Sequence, residues 1–357
     1  SLGELKYILG DGVAVLKYIC GKSWIIGRGE DAGFIAKMTS NAIYQFFYPD
    51  FLHCDSSPPF LSLLIINSII LIIIIFFLNK FYQNNIYFFL ASLSLFYGVY
   101  SLQVASKELI LGLLFLFSIQ NYFAIKRTYL SMNKKSFLIF IGLFLQILLA
   151  FARPTYIILL IPYLTLIIDK KRFLQKDLLI NYLTILVLLT PLIFNFIWQL
   201  NSLDFLTGDL KLIMDDYLDR YARDNYVSSS LNLESIFTTS GYIKRILVYI
   251  FGYRHLLVLA DNIPYNLALF ASKISIMSTL IISIIFLVRP KIITRNCSNM
   301  IAERKLWIAS SLISVFIYPF PHDRYFLPLI LLMLYVIYDK RVICTSKPRV
   351  IYDKLSN

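Results

Sequence analysis

The sequence predicts an all-α protein, a polytopic transmembrane helical bundle of about nine or ten spans with a cavity on its outer face. Three observations lead there. The chain is 58% hydrophobic and only 15% charged, whereas about a quarter of a soluble domain is charged. Apolar runs such as 60–78 contain no charge at all and, as helices, are long enough for a ~30 Å hydrocarbon core. Basic clusters recur between these runs on alternate connections, as the positive-inside rule requires. Strands are the competing reading of so much Ile, Phe and Tyr. A lipid-facing barrel alternates apolar and polar residues, yet 69–77 is apolar on every face, so helices are expected.

The net charge of +13 would suit a nucleic-acid partner if it formed one surface, but it does not. The segments read as cytosolic hold nineteen of the 34 Lys and Arg residues but five of the 21 Asp and Glu. That asymmetry is a topology signal and excludes a nucleic-acid-binding face.

Spans are expected at 60–78, 86–105, 109–125, 137–152, 155–168, 178–198, 265–288, 306–321 and 325–338. Segment 1–59 precedes them as an outer, interfacial region whose stretch 31–50 is amphipathic and rich in Tyr and Phe, as in a helix lying in the interface. Spans within 60–198 make a six-span bundle. Residues 199–264 form a large outer loop with an interfacial or re-entrant helix, and 265–357 a three-span bundle with a basic cytosolic tail. The loops carrying Lys126, Arg127, Lys134 and Lys135, and 169–172, both read as cytosolic, so the chain between them goes out and returns. The same holds between 289–305 and 340–354. The turns at Arg153 and at His322, Asp323 and Arg324 therefore face outward. Because 1–59 falls outside and holds neither a signal peptide nor a full span, a further transmembrane helix is expected upstream of Ser1. The alternatives are unaided translocation, or a Ser1 that follows a removed initiator Met. Cys20 and Cys54 share the outer side and could pair, but two buried thiols are the expectation.

Two outward hairpins look too short. Residues 137–168 and 306–338 supply thirty-two and thirty-three positions, where two crossings need about 40. The turns with Arg153 and Arg324 are thus expected below the outer surface, where charge survives only inside protein or in a water-filled cavity. Two recessed guanidiniums suit an anion, and phosphate above all, because the planar fork donates bidentately. The ordinary alternative is an arginine that snorkels to the interface and pairs with a neighbour such as Asp323. Lys107 and Glu108 open a span at its outer end, where Glu108 is a candidate base or a solvated cap. Asp11, between two glycines, is either a candidate base or a turn residue. His322 is a third candidate base. Arg220 and Arg223, in the outer loop, join Lys107, Arg153 and Arg324 as candidate substrate-binding residues. The chain contains no Walker motif, dinucleotide fingerprint, HExxH or metal-ligand spacing. No cofactor or metal is expected, and any chemistry must draw on an activated substrate.

Taken in order, Gly10-Asp11-Gly12, YSLQVASKELILGLL, LLAFARPTYIILL, RYARDNYVSSS and HDRYFLPL make a recognisable series. Together they resemble O-antigen or capsule repeat-unit polymerases of the Wzy type and, more broadly, GT-C membrane glycosyltransferases. The resemblance covers most of the chain through short motifs. It implies a bacterial inner-membrane enzyme that uses a polyprenyl-diphosphate-linked glycan at the periplasmic face, with membrane lipids and a chain-length regulator as partners. Asp11 matches the carboxylate that follows the first transmembrane helix in GT-C enzymes and acts on the acceptor. Arg153 and Arg324 match the arginines that hold lipid diphosphate, and the acidic residues in 204–224 would bind sugar hydroxyls. Two other functions fit the same observations: transfer of a single sugar from a polyprenyl-phosphate donor, and transport of a lipid-linked glycan. The two halves of the chain are unlike and the candidate site charges lie on one face, which favours an enzyme. The topology is directly testable. Reporters fused after Lys135, Lys171, Arg295 or Lys354 should read cytosolic and one at Asp224 external; a cytosolic signal at Asp224 would overturn the outer-site assignment.

Overall fold

The computed structural model describes residues 60–81, 89–95, 107–127, 131–152, 154–166, 176–199, 263–290, 300–316 and 323–338. They are helical apart from short turns, and no strand occurs among them. Three helices are long and apolar enough to span a membrane, with windows Glu108–Lys126, Met132–Ala150 and Phe270–Val288. Shorter apolar helical stretches cover Ile65–Asn79, Thr155–Leu164, Asp177–Thr190 and Phe326–Ile337.

In chain order the helices are α1 (Phe60–Phe81), α2 (Lys107–Arg127), α3 (Met132–Ala152), a 3-10 helix (Pro154–Leu159) running into α4 (Leu160–Leu164), α5 (Lys176–Gln199), α6 (Ile263–Val288), α7 (Ile301–Phe316) and α8 (Asp323–Tyr338). Most of the expected spans coincide with these helices. The second is described only over 89–95, which is helical. The expected span 155–168 differs in kind. It starts as 3-10 helix and holds only five residues of α-helix. Pro154 and Pro162 each lack the amide that an α-helical ladder needs, so a long regular helix is unfavourable there. The expected segment 1–59 and almost all of 199–264 lie outside the described residues.

The polarity of the bundle is inverted relative to a soluble protein. On α6, Ser272, Ser275, Thr279 and Ser283 are fully buried while Phe270, Ile281, Ile284 and Val288 are exposed. On α3, Gln146 is buried and Phe137, Phe140 and Phe144 are exposed. Asn67 is buried on α1, whose Ile65, Ile69 and Ile72 face outward. Water would penalise each of these apolar faces, whereas lipid tails accept them and leave small and polar residues to make the contacts between helices.

Three helices form the interior. Residues 326–337 of α8 are buried throughout, 302–316 of α7 are buried except for Lys305, and α2 is buried on nearly every side. Side-chain pairs give their directions. Gly112 of α2 abuts Leu331 of α8, and further along both helices Phe123 meets Tyr335 with ring centroids 6.2 Å apart, so α2 and α8 run parallel. Lys126 meets Glu303 and Tyr122 meets Trp307, so α7 is antiparallel to α2. On the other side of α2, Ser118 bonds Gln146 and Asn121 bonds the Leu138 carbonyl, which makes α3 antiparallel to it. The starts of α2 and α8 therefore share one end of the bundle. Lys126, Glu303 and Arg304 share the other, the arrangement that the basic loops predict.

The chain enters α7 through Met300, whose φ of 62° is unfavourable for a residue with a side chain by about 1–2 kcal/mol. Its packing against the core offsets that strain. A closer fit occurs at Gly142 of α3. A Cβ there would overlap Tyr163 Cε1 and lie 2.7 Å from Asn121 Nδ2, so the absence of a side chain lets α3 receive the Tyr163 ring. Gly142→Val should lower the stability of the detergent-solubilised protein by about 1–3 kcal/mol, as overpacking does in a filled core. A melting curve matching the wild type would show that α3 and α4 are not packed as described.

Candidate functional site at the start of α2 and α8

A cleft of about 20 Å³ opens where the first turns of α2 and α8 meet α1 and the 89–95 helix. Ile74, Ser94, Glu108, Gly112, Pro328 and Leu331 are among the residues that line it. Glu108 is half-buried and already interacts with a neighbour. Each wall follows from the sequence. Gly112 lets α8 approach α2 so closely that an added Cβ would stand 3.1 Å from Leu331 Cδ1. Pro328 sits inside α8 and supplies no amide to the ladder. Ser94 is buried and donates to the Ala91 carbonyl at 2.6 Å, which spares it the cost of an unpaired hydroxyl in an apolar wall.

Because α2 and α8 are parallel, their N-terminal ends lie together, and partial positive charges from unpaired amides accumulate there. Lys107 begins α2 and Arg324 is the second residue of α8, one helical turn before Pro328. Glu108 and Asp323, the first residue of α8, thus lie at an end of the bundle whose helix dipoles favour anions. Of the candidate residues read from the sequence, the structure brings Glu108 together with the backbone of Lys107 and Arg324. Asp11, Arg153, Arg220, Arg223 and His322 lie outside the described residues. Among the described residues no group of three or more His, Cys, Asp or Glu could hold a metal ion.

The opposite half of the interior is polar in a different way. Lys126 Nζ bonds Glu303 Oε1 at 3.2 Å with both side chains largely buried, and the same ammonium lies 5.8 Å from the Tyr122 ring centroid. Tyr122, Tyr163 and Trp307 meet edge to face with centroids 5.3 to 5.8 Å apart. Tyr122 OH and Thr165 Oγ1 share a hydrogen bond of 3.1 Å, Tyr163 OH donates to the Ser118 carbonyl at 2.5 Å, and Gln146 Nε2 donates to Ser118 Oγ. Arg304 is buried, with Nη1 3.4 Å from the Ile337 carbonyl. This network spans ~12 Å of α2 from Ser118 to Lys126 at 1.5 Å per residue.

Sequence reasoning missed the network because Lys126 and Glu303 read as loop charges that mark the cytosolic side. A polar residue every third or fourth position (Ser118, Asn121 or Tyr122, Lys126) was the available signal. Gly112 and Pro328 were also missed. A Gly and a Pro inside apolar runs mark close approach and a broken ladder, but nothing local says that the two positions meet. No protein family, no curated protein and no solved structure matches the chain.

The Lys126–Glu303 pair has a definite expected energy. Lys126→Ala leaves a buried carboxylate without its cation and should cost about 3 kcal/mol of stability. The charge reversal Lys126→Glu with Glu303→Lys should recover much of that loss, as read by thermal unfolding in detergent. Equal losses in the single and the reversed double variant would show that the pair does not join α2 to α7.

Proposed function

We infer that this chain is a bacterial inner-membrane glycosyltransferase of the Wzy-type or GT-C-like kind, which joins polyprenyl-diphosphate-linked oligosaccharide repeat units into surface polysaccharide at the periplasmic face. The observation that supports this reading most is the cleft itself, where Glu108 faces a wall of α8 that begins one turn after Arg324. Glycosyl transfer from a lipid diphosphate needs a base for the acceptor hydroxyl and positive charge for the leaving diphosphate. Glu108 supplies the first. Arg324, Lys107 and the two helix starts supply the second, joined in this reading by Arg153. Asp11, His322, Arg220 and Arg223 remain candidates within the same proposal.

Substitution at the cleft tests the proposal. Glu108→Gln should reduce polymer formation by about a hundredfold or more, the usual worth of a general base. Arg324→Ala should abolish long chains while the protein still accumulates in the membrane, and Arg324→Lys should restore them only in part. The glycan ladder on a gel reads both. Normal ladders in Glu108→Gln and Arg324→Ala would overturn the assignment of this cleft. A deletion strain with a full ladder of altered sugar composition would replace polymerisation by single-sugar transfer.

A further inference from the structure

Helix α3 is the outlier among the three helices long and apolar enough to span a membrane. Only 17% of its spanning window is buried, against 44% for α6 and 72% for α2. Its uncovered side carries a row of rings. Phe137, Phe140 and Phe144 are exposed and follow one another at helical spacing, with Ile147 beyond them. The row covers ~10 Å of helix at 1.5 Å per residue, about a third of a ~30 Å hydrocarbon core. In lipid an apolar face of this kind selects nothing by itself, because every lipid tail suits it equally.

Selectivity comes from what lies at the head of the row. Residues 126–135 hold Lys126, Arg127, Lys134 and Lys135 and no Asp or Glu. Lys126 is committed to Glu303 at 3.2 Å. In the first turn of α3, which has no acidic residue, Lys134 is exposed and Lys135 half-buried. Among the described residues neither lysine has an ion-pair partner. Lys134 precedes Phe137 by three positions and so stands beside it on the helix surface. Helical side chains lean toward the N-terminus, which carries both ammonium groups away from the rings and toward the headgroups. Asn133 and Ser136 are also exposed and add hydrogen-bond donors at the same level. A cationic, donor-rich head above an apolar row complements an anionic phospholipid. A helix from another protein would have to bring an acidic residue for each ammonium it covered.

We propose that the exposed face of α3 is a docking site for one anionic phospholipid of the cytosolic leaflet, its phosphate held by Lys134 and Lys135 and one acyl chain lying along Phe137, Phe140 and Phe144. Because α3 is antiparallel to α2, this site lies at the opposite end of the bundle from the Glu108 cleft. It does not rest on the glycan-transfer reading. Anionic lipids give the cytosolic leaflet a negative surface potential that attracts basic segments beside a span. The bound lipid therefore anchors the 126–135 connection on the side where the positive-inside rule puts it.

The test uses the full chain in detergent, titrated with phosphatidylglycerol or with phosphatidylcholine of the same acyl chains, while native mass spectrometry counts the lipids retained. Wild type should hold one phosphatidylglycerol at about a tenfold lower concentration than phosphatidylcholine, the scale expected of two lysines at an anionic headgroup. Lys134→Gln combined with Lys135→Gln should abolish that preference and leave phosphatidylcholine retention unchanged. Phe137→Ala, Phe140→Ala and Phe144→Ala together should weaken phosphatidylglycerol retention at an unchanged melting temperature, which separates the effect from misfolding. Glycerol phosphate, the head without its chains, should not displace the lipid. Displacement at equal concentration would make this a site for a free phosphate group and overturn the lipid assignment. No preference in wild type, or a preference that survives in the double Gln variant, overturns the inference. A wild-type dimer that becomes monomeric in the triple Ala variant would assign the face to a second copy of this chain and overturn it as well.

Discussion

Gly112 and Leu331 stand so close that a single methyl group added to α2 would press on the Leu331 side chain of α8, and the end of the bundle where both helices begin is built around that contact. Two parallel helices in lipid gain little from hiding apolar surface from each other, since lipid tails are as apolar as leucine. Their association comes from close packing, and a glycine opposite a leucine permits it. Once the seam closes, the first turns of α2 and α8 are held at one level. Glu108 and Pro328 then line one cleft, and Lys107 and Asp323 begin neighbouring helices. Dipoles that would be far apart in an antiparallel pair add at one end.

The far end of α2 is held by a different kind of force. There Lys126 and Glu303 pair within 3.2 Å, and the ring cluster of Tyr122, Tyr163 and Trp307 joins α2, α4 and α7. Each edge-to-face contact contributes about 0.5–1.5 kcal/mol beyond burial, and the hydroxyls are satisfied by Thr165 and the Ser118 carbonyl. The network is not filled throughout, since Trp307 Nε1 and Gln146 Oε1 are buried without a hydrogen-bond partner, and its specificity rests on the pairs that are made. Helix α2 acts as a rod held by polar contacts at its C-terminal end and by close apolar packing at its N-terminal end, where Glu108 lies.

The apolar stretch 109–117 separates the cleft from this network along α2, while α6 and α7 carry buried polar residues of their own, Ser272, Ser275, Thr279 and Ser283 on the first and Ser310, Ser311 and Ser314 on the second. The short 3-10 and α4 segment packs against the same stretch of α2. Tyr156 packs on Phe115 with ring centroids 5.1 Å apart, about two helical turns inward of Glu108.

Much of this protein was legible in the amino-acid sequence. Uncharged apolar runs set where helices form, because backbone groups in lipid must be satisfied within the segment. Basic clusters such as Lys134 and Lys135 set which helix ends belong together, and the pairing of Lys126 with Glu303 agrees with them. Glu108 stood out as a carboxylate at the start of an apolar span. What only the tertiary structure decided is which faces meet. An α1 that is apolar on nearly every side carries no hydrophobic stripe to mark its inner face, because its solvent is apolar too. The choice fell instead to scattered small and polar residues whose partners are distant in sequence: Ser275 with the Leu90 carbonyl, Gly142 with Tyr163 and Gly112 with Leu331. Nothing within one turn of Gly112 or Pro328 announces that they line one cleft. Their meeting depends on the parallel course of two helices about two hundred residues apart, and close packing in three dimensions selects that course while local pattern does not.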